Sequence, residues 1–407
     1  MLSSPELQRL IREHRRGGSL AQPFYTAAEL FEIEIERFLG SHWLLAGHVS
    51  QIPQPGDYFV VEALGASVIV IRDGKGEINA LHNVCRHRGA KICEAASGKA
   101  SLLRCRYHGW SYGIDGKLAA WRHMPENLNK SDFALRRCGV TLFEGLIFIS
   151  LQPDSAPDPA AMFRHVAAHW ARYDLAASKV AATRTYPIQA NWKLAIENNL
   201  ECYHCMPSHP EYTAANAFVR ADEKVSSAVV EDYSVYQKAW QSRLQAANIL
   251  TGRSDFVGDK GQACRVGTWP LAPGQLTASR DGKGVAPLLG RISAYDESVT
   301  TGCVGFLSYL GGMCDYVIAV TYIPQTVGVT HVVMKWLVRA DAVEGRDYVL
   351  DDLCWLWDET TKQDKSIIEL NAAGVGSRGY VPGPYSQLEG VTADFIDRYL
   401  SLMTDGA

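Results

Sequence analysis

The 407-residue sequence lacks the features that mark several large classes of protein. It has no apolar run close to the roughly 18–20 residues of a membrane-spanning helix, which argues against a membrane protein. Its 40 basic and 44 acidic residues form no concentrated basic stripe, which argues against nucleic-acid binding. Residues 1–6 lack the charged region and the apolar stretch of a signal peptide. From these absences we expect a cytoplasmic globular protein.

Cysteine is too scattered for a disulfide framework. The ten Cys residues follow no regular spacing, and at least two of them are placed as metal ligands, which suits a reducing cytosol better than an oxidising compartment. Hydrophobic residues make up 47% of the sequence and charged residues 21%, as in an ordinary globular protein. The length allows two or three domains.

Two short motifs, Cys85-x-His87 and Cys105-x-x-His108, carry the clearest chemical information. Two thiolates and two imidazoles in this order suit a 2Fe–2S cluster in which Cys binds one iron and His binds the other. Replacing two thiolates by neutral imidazoles raises the reduction potential above that of an all-Cys cluster. The motifs therefore predict a centre that passes single electrons.

A tetrahedral zinc site is the main alternative, because zinc also binds two Cys and two His. In the usual zinc-finger order both Cys precede both His, whereas here they alternate. Each pair is also followed by a glycine, Gly89 or Gly109, as expected of two loops folded tightly over a cluster. The iron–sulfur interpretation is favoured.

The sequence divides near residues 152–159, where three Pro and two Asp mark a boundary. Before it, short β-rich runs predict a small all-β domain over residues 42–152. After it, helical and strand-like segments alternate over residues 160–407, which predicts an α+β domain with helices packed on an antiparallel sheet. Helical patterning also occurs within residues 1–41. Residues 251–290 are rich in Gly and Pro and predict a long, mobile loop.

A second group of metal ligands is predicted around a helix over residues 191–205. Helical spacing places several polar and acidic residues on one face, where a core helix should be apolar. Burying two carboxylates without partners would be costly, and a bound cation resolves the conflict. The face comprises Leu194, Glu197, Asn198, Glu201 and His204. After the turn at Pro207, His209 can approach the same ion as His204.

Two other interpretations of this segment remain open. The polar face can be solvated, and Cys202-x-x-Cys205 can be a redox pair, although the helical pattern points Cys202 away from the polar face. If the two His bind a metal, a carboxylate completes the facial triad of a non-haem Fe(II) oxygenase. Asp364, in the helical stretch 345–373, is the best candidate; Asp358 and Glu359 compete with it.

Together, the cluster motifs and the second group resemble the oxygenase (α) subunit of Rieske non-haem iron oxygenases. The resemblance implies an all-β Rieske domain and a catalytic domain with an antiparallel sheet flanked by helices, against which the N-terminal helices of residues 1–41 pack. It implies that two Cys bind one cluster iron, two His bind the other, and two His with one Asp bind a mononuclear Fe(II). The implied ligands are Cys85 and Cys105, His87 and His108, and His204, His209 and Asp364.

The resemblance also implies how electrons move. Glu201 stands where the family carries an acidic residue that links the two centres across a subunit boundary, here to His108 of a neighbouring subunit. Many ring-hydroxylating members have Asp at this place, and this sequence has Glu. A homo-oligomeric ring, a trimer, is implied, as are O₂ as co-substrate and a flavin/iron–sulfur reductase that passes on electrons from NAD(P)H.

Three segments, residues 19–25, 201–205 and 379–386, look like the betaine branch of this family, with glycine betaine and stachydrine demethylases and, more distantly, carnitine monooxygenase. We therefore predict a monooxygenase that N-demethylates a quaternary ammonium compound. An aromatic-ring dioxygenase or O-demethylase on the same scaffold is the alternative. The ten Trp and eighteen Tyr permit an aromatic cage for a cation, but the sequence locates neither the cage nor a partner for a substrate carboxylate.

Overall fold

The computed structural model describes residues 4–404, which fold into two units. One unit comprises residues 39–157. The other combines the chain up to Phe38 with the chain from Asp158 onward. No helix within residues 4–404 is long and apolar enough to cross a membrane.

The unit of residues 39–157 is built from antiparallel strands. Seven form a sheet in the order β1-β10-β9-β4-β3-β2-β5, and three form a small sheet in the order β6-β7-β8. The strands are β1 Leu44–His48, β2 Asp57–Ala63, β3 Ala66–Arg72, β4 Ile78–His82, β5 Ser97–Lys99, β6 Leu102–Arg104, β7 Ser111–Gly113, β8 Leu118–Ala120, β9 Arg137–Phe143 and β10 Leu146–Ser150.

Local side chains fix the connections of this unit. Between β3 and β4, the Asp73 carboxylate accepts hydrogen bonds from the backbone N–H groups of Lys75 (2.9 Å) and Glu77 (3.0 Å), which closes the turn. The core lies between the two sheets and includes the fully buried Trp110 and Tyr112. Both rings stand beside the two loops that carry the Cys/His motifs.

The other unit contains a seven-stranded antiparallel sheet in the order β11-β17-β16-β15-β14-β13-β12. Its strands are β11 Ser178–Ile188, β12 Gly252–Val257, β13 Ala263–Pro270, β14 Ser298–Val304, β15 Ser308–Gly312, β16 Val317–Thr326 and β17 Val329–Arg339. Its helices are α1 Ser4–Glu13, α2 Pro23–Thr26, α3 Ala28–Glu34, α4 Ala160–Trp170, α5 Trp192–Asn199, α6 Cys205–Ser208, α7 Pro210–Ala215, α8 Phe218–Asp222, α9 Ser227–Ala246, α10 Leu350–Val375 and α11 Gly390–Thr404.

Successive side chains of each strand point to opposite faces of the sheet, so both faces present apolar side chains and helices pack on both. Helix α4 packs against β13 and β14, where His169 contacts Thr268, whose hydroxyl in turn contacts that of its strand partner Thr300. Helices α5 and α10 pack against β11, β16 and β17. We call the face that carries Arg265, Cys303 and Tyr309 the inner face; these residues are neighbours in adjacent strands.

The N-terminal helices are attached to this unit through one buried carboxylate. Glu34 accepts hydrogen bonds from Trp192 Nε1 (2.7 Å), Lys193 Nζ (2.5 Å) and Tyr399 Oη (2.6 Å). Glu34 and Lys193 are fully buried, so each charge depends on the other and on these hydrogen bonds. The contact joins α3 to α5 and α11.

The structure corrects two local predictions. Helix α5 ends at Asn199 rather than near residue 205, because the Glu201 carboxylate accepts from the backbone N–H groups of Tyr203 and His204 and forms a turn in place of a helix. Residues 251–290 are also not one mobile loop, since they contain β12 and β13. Because Gly and Pro residues are typical of loops, the sequence did not predict this hairpin at the edge of the sheet.

Candidate metal centres

The two Cys/His loops of the first unit have the same backbone geometry. The Cys85 N–H donates to the carbonyl of Ala90 and the Gly89 N–H donates back to the carbonyl of Cys85, both at 2.9 Å. Cys105, Gly109 and Trp110 repeat this pattern at 2.8 and 3.0 Å. Gly89 and Gly109 have φ angles of +79° and +78°, a conformation that glycine adopts without strain. The glycines therefore serve the tight loops that the sequence predicts.

The four predicted cluster ligands converge between these loops. The Nδ1 atoms of His87 and His108 lie 3.1 Å apart, and Cys85 and Cys105 are buried beside them. Tyr112 Oη lies 3.3 Å from Cys85 Sγ. Burial raises the pKa of the Cys85 thiol, and the Tyr112 hydroxyl lowers it. Paired thiols inside and paired imidazoles outside are a donor set that fits a 2Fe–2S cluster of the Cys₂His₂ type.

A second set of ligand atoms meets in the other unit. One ligand atom each from His204, His209 and Asp364 lie within 4.8 Å of one another, so the three side chains can hold one metal ion. Asp364 Oδ1 is 3.0 Å from His209 Nε2 and 3.3 Å from His204 Nε2. Asn198 Nδ2 lies 3.3 Å from His204 Nε2. Two imidazoles and one carboxylate suit a mononuclear Fe(II) site.

Both imidazoles are oriented by a partner on their second nitrogen. Glu201 Oε1 lies 2.5 Å from His204 Nδ1, and Gln363 Oε1 lies 2.9 Å from His209 Nδ1. Partners of this kind fix the tautomer and the orientation of a metal-binding histidine. Sequence reasoning singled out Glu201 but missed Gln363, although it directly precedes Asp364 on α10.

The charges of this group are strongly coupled. Burial disfavours a charged His204 ring, but hydrogen bonds to Asp364 and Glu201 raise the pKa of His204 to about 9. Burial also opposes an ionised Asp364, and the hydrogen bonds from His204 and His209 hold the pKa of this carboxyl below its ordinary value. A carboxylate that is kept ionised beside two imidazoles is prepared to bind a cation.

The competing carboxylates are engaged elsewhere. Asp358 accepts from Tyr186 Oη at 2.5 Å and forms ion pairs with Arg184 (2.7 Å) and Lys362 (2.8 Å). Burial opposes the charge, but these three partners lower the pKa of Asp358 to about 2. Glu359 pairs with Lys362 at 2.9 Å. The structure therefore brings Asp364, and neither competitor, to the two histidines.

Cys202 and Cys205 form a disulfide across the turn that follows α5, the only one within residues 4–404. The sequence pattern pointed Cys202 away from the polar face, and that expectation is wrong because the helix ends at Asn199. A redox role for the pair stays a hypothesis.

A cavity lies beside the second set of ligands; we call it the Asp364 cavity. Its walls carry three aromatic rings, Tyr309, Tyr322 and Trp357, and several aliphatic side chains. Asp364 is the one charged side chain among the described residues that line it. Burial raises the pKa values of Tyr309 and Tyr322 well above the ordinary value, so both rings stay neutral.

Comparison with known proteins identifies the family. Residues 42–137 match the Rieske 2Fe–2S domain, and residues 175–277 and 309–405 match the catalytic domain of the ring-hydroxylating alpha subunit. The chain is 36% identical over 405 residues to the glycine betaine monooxygenase oxygenase subunit of Pseudomonas aeruginosa, which covers 97% of this chain and 91% of that protein. The chain belongs to the Rieske non-haem iron oxygenases. As a member, it is an oxidoreductase that requires a Rieske cluster, a mononuclear iron and O₂, and the two donor sets fit both metal groups.

Other Rieske oxygenases extend the comparison. The carnitine monooxygenase oxygenase subunit of Acinetobacter pittii is 31% identical over 197 residues, covering 46% of this chain and 52% of that protein. The crystal structure of the quaternary ammonium Rieske monooxygenase CntA with γ-butyrobetaine has a TM-score of 0.70 at 19% identity, covering 97% of this chain and 98% of the other. Naphthalene 1,2-dioxygenase from Rhodococcus has a TM-score of 0.67 at 20% identity, with both chains fully covered. The predicted α+β fold with a Rieske domain is confirmed.

Proposed function

We propose that this Rieske oxygenase oxidises, and specifically N-demethylates, a small quaternary ammonium compound of the betaine type. The Asp364 cavity is the observation that carries this proposal. A permanent cation needs a neutral, polarisable surface, and the faces of Tyr309, Tyr322 and Trp357 supply it beside the Asp364 carboxylate. No lysine or arginine lines the cavity among the described residues, so no cationic side chain of the protein faces the substrate there.

The relatives support this substrate class. The protein with the near-complete alignment acts on glycine betaine, and a solved structure of the same fold holds γ-butyrobetaine. Trp357 donates its indole N–H to Tyr316 Oη at 3.0 Å, which fixes the ring while its faces stay apolar.

The residues of this chain have defined tasks in the proposed reaction. His204, His209 and Asp364 would hold the mononuclear iron, and Glu201 and Gln363 would keep the two imidazoles oriented. When bound, this iron supplies the activation of O₂, with electrons that arrive through the cluster held by the Cys/His loops. The aromatic and aliphatic walls of the Asp364 cavity orient the substrate and exclude water.

The proposed reaction is balanced as a monooxygenation. One oxygen atom of O₂ enters an N-methyl C–H bond to give an N-hydroxymethyl group. The other oxygen atom leaves as water after taking up two electrons and two protons. The N-hydroxymethyl group then breaks its C–N bond and yields the demethylated amine, formaldehyde and a proton.

Electron transfer between the centres is proposed to cross a subunit boundary. His108 is exposed at the cluster loop, and Glu201 already contacts His204, so a hydrogen bond from His108 of a neighbouring subunit to Glu201 would join the two centres. Inter-subunit electron transfer is described for the quaternary ammonium Rieske monooxygenase, whose TM-score with this chain is 0.71. A contact between different surfaces must close into a ring, and we propose a trimer.

The electrons are proposed to come from NAD(P)H through a separate flavin/iron–sulfur reductase. The name of the Pseudomonas relative, an oxygenase subunit, supports a separate electron-donating partner. We also propose a cytoplasmic location, which would give the enzyme access to NAD(P)H, and which suits the six Cys residues that form no disulfide and lie outside the cluster motifs.

Turnover with a reductase tests the substrate class. We expect NADH consumption and equimolar formaldehyde release with glycine betaine, and neither with a panel of aromatic acids. Reaction with aromatic acids alone would instead assign a ring dioxygenase or O-demethylase and contradict the proposal. The Asp364→Asn variant controls for oxidation by free iron.

A pair of tryptophan variants tests the aromatic wall. Trp357→Leu should weaken binding of glycine betaine by about tenfold, because one ring contributes about 0.5–2 kcal/mol of cation–π attraction. Trp355→Leu is the matched control, since Trp355 contacts the Arg280 guanidinium and not the Asp364 cavity. Equal effects of the two substitutions on betaine affinity would contradict the assigned cage.

A further inference from the structure

One row of paired residues crosses the inner face of the sheet toward the Asp364 cavity. Arg265 of β13 pairs with Cys303 of β14, which pairs with Tyr309 of β15, and the row continues through Val320 to Met334. Paired residues of antiparallel strands project to the same side. At about 4.8 Å per strand, the backbone of Arg265 lies about 10 Å from that of Tyr309. Tyr309, Val320 and Met334 line the Asp364 cavity.

A second cavity is lined by residues from this row. This outer cavity is lined by Arg265, Asn199 and Tyr309, and also by the charged residues Arg253, Glu201 and Asp222. Asn199 and Tyr309 also line the Asp364 cavity, so the two spaces share walls. A short ligand with one end beside Asp364 can therefore extend its other end toward Arg265.

Arg265 carries donors that the protein leaves unused. Its Nε donates to Asp255 Oδ1 at 2.6 Å, while Arg253 Nε donates to Asp255 Oδ2 at 2.8 Å. One carboxylate thus serves two guanidinium groups. The terminal amino groups of Arg265 make no hydrogen bond to another residue of the described chain.

A third guanidinium group lies near Arg265. Arg398 of α11 lines a smaller pocket together with Arg265, Cys303 and the carboxylates Asp255 and Asp394. Its Nε is buried and has no hydrogen-bond partner within residues 4–404. Burial lowers the pKa of Arg398, Asp394 opposes this, and the charge of Arg265 lowers it further. A buried donor without a partner is costly, and an anion beside Arg265 would relieve the repulsion.

We propose that Arg265 binds the carboxylate of the substrate, with Arg398 adding to the positive potential behind it. The enzyme would then select trimethylammonium carboxylates over trimethylammonium cations that carry no anionic group. This inference rests on the proposed function and adds the group that recognises the other end of the substrate. Its ammonium group lies in the Asp364 cavity, and its carboxylate in the outer cavity. A planar guanidinium with free amino groups is the preferred partner of a carboxylate.

Calorimetric binding to the full-length enzyme, loaded with cluster and Fe(II), tests the assignment. The two ligands are glycine betaine and choline, which share the cation and differ in the carboxylate. Arg265→Gln should weaken glycine betaine binding by about 10- to 100-fold, the range expected for hydrogen bonds to a charged group. Choline binding should change by less than about threefold in the same variant, since choline lacks the carboxylate.

Arg243→Gln is the matched control. Arg243 lies on α9, pairs with Glu297 at 2.7 Å, is 56% exposed and lines neither cavity, so the substitution removes the same charge away from the proposed site. Exposed ion pairs contribute little, so affinity for both ligands should stay within about threefold of the wild type. The visible spectrum of the cluster checks that each variant is folded.

Several outcomes would overturn the assignment. One is an unchanged affinity of Arg265→Gln for glycine betaine. Another is an equal loss of affinity for glycine betaine and for choline, because an equal loss would indicate that Arg265 has a structural role. If the variant loses its cluster, the wild-type enzyme can still test the inference with the methyl ester of glycine betaine. The ester should bind as weakly as choline. An affinity for the ester equal to that for glycine betaine would overturn the inference. If the wild type turns over glycine betaine and Arg265→Gln binds it with unchanged affinity, the role of Arg265 is contradicted and the proposed function is not. Failure of the wild type to bind any trimethylammonium compound contradicts the proposed function as well.

Discussion

The Glu197 carboxyl group allows a test of how burial changes a pKa in the unit that contains the second set of ligands. It lies on α5 and accepts hydrogen bonds from Tyr25 Oη (2.9 Å) and Tyr385 Oη (3.2 Å). Burial raises the pKa of Glu197 to about 7, although both hydroxyl groups and the charge of Lys193 act in the opposite direction. At pH 8 the folded protein therefore holds an ionised carboxylate at a free-energy cost.

The size and sign of this cost follow from the two pKa values. The ordinary value is 4.5 and the folded value about 7, a difference of about 2.5. Between these values the folded state binds a proton that the unfolded state has lost, so the free energy of unfolding falls as the pH rises. At about 1.4 kcal/mol per pH unit the total loss is about 3 kcal/mol, complete above pH 7.

Glu197→Gln removes the titration and keeps the shape. We expect the variant to be more stable than the wild type at pH 8, by up to about 3 kcal/mol, and to keep less than about 1 kcal/mol of this advantage at pH 5. Urea unfolding at pH 5, 6, 7 and 8, followed by tryptophan fluorescence, measures the difference between the two proteins. Glu32→Gln, the same substitution at an exposed position of α3, should show no such trend.

A constant difference between Glu197→Gln and the wild type at all four pH values would refute the reasoning. A variant that is less stable than the wild type at pH 8 would show that the two tyrosine hydroxyls hold an ionised Glu197 without cost.

Four further substitutions test the metal centres. Gln363→Leu should lower the affinity of the mononuclear site for iron by about 10- to 100-fold, because His209 loses its orienting partner; chelator competition measures this, and unchanged affinity would contradict it. Asp364→Asn should lose the mononuclear iron, whereas Asp358→Asn should retain it, and metal analysis showing the reverse would transfer the ligand role to Asp358. Glu201→Gln should keep both metal groups and slow the re-oxidation of the reduced cluster in the presence of substrate and O₂, measured by stopped-flow absorbance; wild-type rates would exclude the bridge.

Much of the fold was predictable because its signals are local. The runs around Val68 and Ile147 are short and apolar, and they form β3 and β10 of the Rieske unit. The cluster motifs needed no long-range information, since each Cys and its His lie on one loop with a glycine at the turn. His204 and His209 were likewise visible together because only four residues separate them.

The rest of the site depends on contacts between distant parts of the chain. The end of α5 was missed because a single side chain, Glu201, closes the turn through backbone hydrogen bonds that compete with the helix. The choice of Asp364 over Asp358 required the positions of Arg184 and Tyr186, which lie more than 150 residues earlier and occupy Asp358. The periodicity of apolar residues in a sequence does not indicate contacts between side chains this far apart in the chain.

The Asp364 cavity was also beyond sequence reasoning. Tyr309, Tyr322 and Trp357 come from two strands and a helix, and only the sheet register brings their rings together. Arg265 lies on β13 within a segment whose Gly and Pro residues predicted a loop. Its relation to Tyr309 arises from two consecutive strand pairings.

The central claim is that one polypeptide holds two separate iron centres, a histidine-ligated cluster and a mononuclear iron. Iron and acid-labile sulfide analysis of the purified enzyme, combined with electron paramagnetic resonance after reduction, tests it most directly. We predict about three irons and two sulfides per chain with the Rieske signal in the wild type, and about two irons with the same signal in His204→Ala. A wild-type enzyme with about two irons per chain, or one without the Rieske signal, would contradict the account.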